Sequence, residues 1–217
     1  MLDRIGTPST SSRRQPVVQA RAIATRARIL DQAAEAFAGA GYDAASLTGD
    51  ILDPAGVSVG SFYHQFDNKL DVLFALIDEY LEEHADRIVG RAAGEPADPL
   101  PIALRRLLTD ILDDVDRAPH LWWILVRERL HPDPRIADAV RAGWKPWCRV
   151  VDGLVGGHAP IATCDLAIAT DALAGFLPAL VSRYLHVDAA DRPRWRQEAF
   201  PLMVDFFVGG ATTLAGT

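Results

Sequence analysis

The stretch Ile51–Lys69, ILDPAGVSVGSFYHQFDNK, constrains this chain more than any other. Ala55 is small enough to let two helices approach, and Gly56 can take the positive φ that ends a helix sharply. Val57 then supplies an apolar plug, and Ser58 suits an N-cap because its hydroxyl accepts from an otherwise unpaired backbone N–H. A helix is therefore predicted from Val59. Phe62 and Phe66, four residues apart, share its buried face, which leaves Val59, Ser61, Tyr63 and His64 outward or sideways. Gly60 weakens such a helix unless a phosphate or a neighbouring helix must come close to its backbone. Asn68 can cap the long helix that follows. Lys69 in that helix's first turn opposes the helix dipole, and a phosphate contact is the expected reason for it. Two short helices about a tight glycine turn make a helix-turn-helix, a unit that can present its second helix to a DNA major groove.

With the helix before it, Gly41–Leu73 resembles the DNA-binding domain of the TetR family of bacterial transcriptional repressors. The residues that carry the resemblance are Ile29, Leu30, Ala33, Ala34, Phe37, Gly41, Tyr42, Ile51, Ala55 to Ser58, Gly60, Phe62, Tyr63, Phe66 and Lys69, within residues 22–80. Two features depart from the family's pattern. The path from Gly41 to Ile51 is one residue longer than usual, so a longer loop is expected before helix two, with Ser46 and Thr48 competing as its N-cap. Pro54 replaces an ordinary helix former, so helix two is expected to be short, kinked or tightened at its end.

Length and composition admit one or two small domains, since 217 residues with 49% hydrophobic content can bury ample core. No apolar run approaches membrane-spanning length and no signal pattern opens the chain, so a soluble cytoplasmic protein without membrane partners is expected. Cys148 and Cys164 lack metal or redox spacing and read as buried thiols. The histidines are scattered, and no nucleophile, metal-ligand or phosphate-loop pattern stands out, so no enzyme activity, cofactor or metal is expected. Net charge is −7, yet residues 1–30 carry six arginines against Asp3 alone, which makes this end +5 and leaves −12 for the rest. A basic end on an acidic body favours phosphate contact at that end.

The fold class read from the chain is all-α: a three-helix helix-turn-helix head, then a helical ligand-binding and dimerisation domain, about nine helices together. The expected divisions are a disordered basic tail over 1–18, the head over 19–67 and the body over 68–217. The tail has two readings, a solvated segment or an arm placing Arg13 and Arg14 in a minor groove. Helix one is predicted from about Ala20 to Ala40, and helix four from Asn68 to about Arg91. HPDP, His131 to Pro134, breaks the apolar segment centred on LWWILV, and Pro146 is a candidate kink in the next helix.

By motif position the DNA-contacting set is Arg13, Arg14, Ser46, Thr48, Ser58, Val59, Gly60, Ser61, Tyr63, His64 and Lys69. Trp122, Trp123, Trp144 and Trp147 lie on two central helices and read either as packed core or, with Arg127, His131 and Phe176, as an effector pocket. Relatives hold effectors in that region and pair their last two helices in a four-helix bundle. The resemblance therefore implies a homodimer through Leu173, Leu177, Leu180, Tyr184, Phe200, Met203 and Phe207, with intramolecular core as the plain alternative. It also implies a dimeric repressor on double-stranded DNA with a palindromic operator, released by a small hydrophobic or aromatic effector. The alternative is a helical small-molecule-binding protein or enzyme with a vestigial head.

Overall fold

The computed structural model describes residues 14–92, 99–156 and 166–215, with side chains over 19–83, 102–150 and 175–205. Among the described residues there is no strand. The helices are α1 (Arg14–Ala40), a π-helical segment (Leu47–Leu52) running into α2 (Asp53–Ala55), α3 (Val59–Tyr63), α4 (Lys69–Ala92), α5 (Leu100–Arg117), α6 (Pro119–Arg127) with a 3-10 turn (Glu128–Leu130), α7 (Pro134–Gly156), α8 (Leu166–Leu185) and α9 (Arg192–Ala215). The expected all-α class, a helix-turn-helix ahead of a helical body, is what the chain adopts. It divides into two compact units, Met1–Ala75 and Leu76–Thr217.

In the first unit α1 buries Ile29, Leu30, Ala33 and Phe37, one face at helical spacing. It starts at Arg14, earlier than expected. Gly41, at φ +90°, ends it, with its N–H donating to the Phe37 carbonyl at 3.0 Å. The competition for the next cap is resolved for Ser46: its hydroxyl accepts from the Gly49 N–H at 3.1 Å, and its own N–H donates to the Asp50 carboxylate at 2.8 Å. Thr48 lies inside the helix, which begins directly at Leu47. The expected longer loop is therefore replaced by a wider helix, the Asp53 N–H reaching back five residues to the Thr48 carbonyl. A π-type turn takes one more residue than an α turn, so it absorbs the added residue. The same widening leaves room for the Pro54 ring, which in an α-helix meets the carbonyl four residues back.

Helix two closes tightly. Gly56 sits at φ +61°, its N–H donates to the Asp53 carbonyl at 3.1 Å, and the Val57 N–H donates to the Leu52 carbonyl at 3.0 Å. This pair of bonds is a Schellman close, and buried Val57 and Leu52 give it the apolar contact that accompanies one. Arg28 reaches from α1 to donate to the Ala55 carbonyl at 3.0 Å. Asn68 caps α4 as expected, its side-chain oxygen accepting from the Leu70 and Asp71 N–H groups at 2.8 and 3.1 Å.

The second unit is built from the remainder of α4 and from α5 to α9 around Leu108, Ile111, Trp122, Ile124, Val140, Trp147, Leu180 and Tyr184, all at most 2% exposed. Pro119 and Pro134 open helices, where a missing N–H costs nothing, whereas α7 continues through Pro146. Asp133 accepts from the Arg135 N–H at 2.9 Å at the start of α7, and its hydrogen bonds from Arg135 hold its carboxyl down at about 2. Gly143 lets α7 close on α6, for a Cβ there would stand 2.6 Å from the Leu125 side chain. Asp114, 2% exposed, accepts from the Tyr80 hydroxyl at 2.6 Å and the Trp122 indole N–H at 3.1 Å. Among the described residues no helix is long and apolar enough to cross a membrane.

Candidate nucleic-acid interface

The short helix α3 is held from behind and open in front. Phe62 is fully buried and Phe66 is 5% exposed, their rings stacked at 5.8 Å, and the Arg26 guanidinium covers Phe66 at 4.7 Å. On the other side Val59 and Tyr63 are 48% and 57% exposed, joined by exposed Ser58, Gly60, Ser61 and His64. A Cβ at Gly60 would meet no atom of the described residues within 4 Å, so no neighbouring helix among them accounts for this glycine. Ser58 is the N-cap, accepting from the Ser61 N–H at 3.2 Å, and its hydroxyl also shares a hydrogen bond with that of Ser61 at 2.9 Å. Ser46 and Thr48 are exposed. Arg13 and the side chain of Arg14 lie outside the described residues.

The electrostatics of this surface are unusual for a phosphate binder. From Gly41 to Asn68 the sequence has no Lys or Arg, and it has Asp43, Asp50, Asp53 and Asp67. Asp50 is engaged with the Ser46 amide. The basic side chains nearest in sequence serve the fold: Arg28 holds helix two, and Arg26 covers Phe66. Sequence reasoning missed both roles, since an arginine count does not distinguish a staple from a phosphate ligand.

Lys69 is engaged by the chain's own backbone. Its ammonium donates to the Tyr42 and Ala45 carbonyls at 2.6 and 2.9 Å, with the Asp43 carbonyl at 3.4 Å, and it lies 4.5 Å over the Tyr42 ring. Those carbonyls relieve its conflict with the helix dipole within the chain itself.

In the second unit the candidate pocket residues separate into clusters. Trp122 packs edge-on to Trp144 at 5.3 Å, lies 5.7 Å from Trp147, and meets Tyr80 at 6.3 Å. Trp144 donates to the Leu125 carbonyl at 3.3 Å, while the buried Trp147 indole N–H has no acceptor among the described residues. Trp123 belongs elsewhere: it contacts His186 at 4.8 Å, with Arg127 at 5.8 Å from its ring. His131 accepts from the Asp133 N–H at 3.0 Å in the turn before α7, and Phe176 is half-buried on α8. Tyr80 and Asp114 join the tryptophan cluster from α4 and α5, a long-range meeting that spacing alone does not reveal.

The dimer-face expectation is corrected at Leu177, Leu180, Tyr184 and Phe200. They are 1%, 0%, 0% and 6% exposed and form part of the unit's own core. Met203 is half-buried, and the side chains of Leu173 and Phe207 lie outside the described residues. An apolar stripe on a helix is the same sequence signal whether it faces its own core or a second copy.

Among the described residues a capped helix-turn-helix thus precedes an all-helical body. Residues 29–76 match the model of bacterial regulatory proteins of the tetR family. This match covers the helix-turn-helix and the parts of α1 and α4 that flank it. The chain is 33% identical to the HTH-type transcriptional regulator TtgR of Pseudomonas putida over 91 residues, 42% of each chain, so the match spans under half of that relative's length. In fold it is similar to the fatty acid degradation regulator FadR of Bacillus halodurans (TM-score 0.61, 20% identity, 88% of this chain and 94% of that one). It is likewise similar to FadR of Bacillus subtilis in complex with stearoyl-CoA (TM-score 0.59, 17% identity, 87% and 96%).

Proposed function

We propose that the protein is a dimeric DNA-binding transcriptional repressor that sets α3 into the major groove of a palindromic operator. The observation that carries this reading is the open face of α3, where Val59, Gly60, Ser61, Tyr63 and His64 stand out from the buried Phe62–Phe66 pair. Small side chains there favour close approach and methyl contacts over bidentate hydrogen bonds. Ser46, Thr48 and Tyr63 contact phosphates, and the N-terminal arginines, Arg13 and Arg14 among them, supply the positive charge that residues 41–68 lack. The second copy meets outward residues of α8 and α9, such as Ala179, Leu202 and Met203.

A small hydrophobic or aromatic effector acts through the tryptophan cluster of the second unit. The buried Trp147 N–H supports a ligand that brings a hydrogen-bond acceptor, and the stearoyl-CoA complex of the Bacillus subtilis FadR supports a largely apolar one. The effector releases DNA only by binding the two conformations of the dimer with different affinity, and DNA then weakens effector binding by the same factor.

Selection of bound DNA from a random pool, followed by a salt titration on the winner, tests the reading. A palindromic consensus with a steep salt slope is expected. A pool without enrichment would sink it.

A further inference from the structure

Lys69 occupies the first position of α4, where a cation is disfavoured by the helix's own N–H groups. An ammonium has three protons to place, and three carbonyls of one loop converge on it: Tyr42 at 2.6 Å, Ala45 at 2.9 Å and Asp43 at 3.4 Å. Its side chain also lies over the Tyr42 ring, which packs 5.4 Å from the fully buried Phe37. The loop so gathered begins at Gly41 with positive φ and leads directly into Ser46, the N-cap of helix two. Without a cation, convergent carbonyl dipoles repel one another, and the loop loses what draws its turns together.

We infer that Lys69 is a positioning residue: it clamps the Gly41–Ala45 loop so that Ser46 and Thr48 stand correctly at the start of helix two, and it does not itself bind phosphate. The clamp is a property of the free protein, and its effect on DNA rests on the function proposed above. Arginine does not replace this lysine, because a planar five-donor fork keeps the charge but cannot aim three protons from a single nitrogen at three carbonyls.

The test compares Lys69→Met and Lys69→Arg with the unaltered full-length protein. Hydrogen exchange is followed on the free proteins at the amides of Leu47–Leu52, with the α1 amides of Ile29–Phe37, in the core of the same unit, as the check on folding. Binding to the selected DNA is measured over a salt series. Exchange at Leu47–Leu52 is expected to quicken in both variants, about tenfold or more, while the Ile29–Phe37 amides stay protected. Affinity should fall about tenfold in both with the log–log salt slope unchanged. Wild-type binding by Lys69→Arg, together with a slope flattened by about 0.9 in Lys69→Met, identifies a phosphate contact and overturns the inference. Should the unaltered protein show no salt-dependent DNA binding, the functional reading fails alone. The exchange arm still decides the clamp, and unchanged exchange overturns it.

Discussion

Gly56 and Gly60 lie four residues apart and answer to opposite constraints. Gly56 is held at φ +61°, and a Cβ there would meet only Arg28 at an ordinary 3.7 Å, so an added side chain costs backbone strain and little else. Gly56→Ala should destabilise the first unit by about 1–2 kcal/mol, read as a lower denaturant midpoint. Gly60 has no positive φ, and a Cβ there would have no neighbour within 4 Å among the described residues. Gly60→Ala should therefore stabilise the free protein by up to about 1 kcal/mol, because alanine loses less backbone entropy in a helix. If DNA approaches that backbone, the same methyl lowers affinity for the selected DNA. A Gly60→Ala protein that is more stable and binds equally well would remove Gly60 from the interface.

At the scale of elements, α5, α8 and α9 are joined by a polar cluster that the sequence did not announce. The fully buried Tyr184 donates to Asp116 at 2.7 Å and accepts from Arg196 at 2.8 Å. Arg196 also reaches Asp113 and Asp116 at 2.6 and 2.9 Å, and Arg192 reaches Asp116 at 2.8 Å. Burial, and after it the bond to Asp116, pushes the Tyr184 hydroxyl above the ordinary tyrosine value. A raised folded value means that the fold favours the protonated form, so this contribution is complete below about pH 10 and is lost as pH rises further. Tyr184→Phe keeps the ring under Arg192 and Arg196 and removes only the hydroxyl. It should cost about 1–2 kcal/mol in urea denaturation at neutral pH, and the gap from wild type should narrow above about pH 10. An equal gap at both pH values would deny the hydroxyl this role. The helices themselves were readable, because Phe62 with Phe66, Gly56 and Ser58 are local signals whose spacing fixes which face is buried and where the turn falls. What α8 packs against was not, since Leu177, Leu180 and Tyr184 give one periodicity for both partners. The roles of Lys69 and Arg28 were hidden for a related reason: each binds backbone carbonyls 24 to 27 residues away, and any residue type supplies a carbonyl.

At the scale of the molecule, the two units carry separate cores and separate chromophores. All the tryptophans, at positions 122, 123, 144, 147 and 195, fall in the second unit, whereas the first holds Tyr42 and Tyr63 and no tryptophan. Tryptophan emission therefore reports the second core alone, while the far-ultraviolet helical signal reports both. Phe62 is fully buried in the first core against Phe66, and truncating such a residue costs about 3–5 kcal/mol. That is a large fraction of what a unit of this size has to lose. On heating Phe62→Ala, part of the helical signal should disappear at a temperature where tryptophan emission is still native, followed by a second transition seen by both probes. Coincident transitions displaced together would instead make the two cores one cooperative body. In that case the cost of a substitution in either core would be shared by the whole chain.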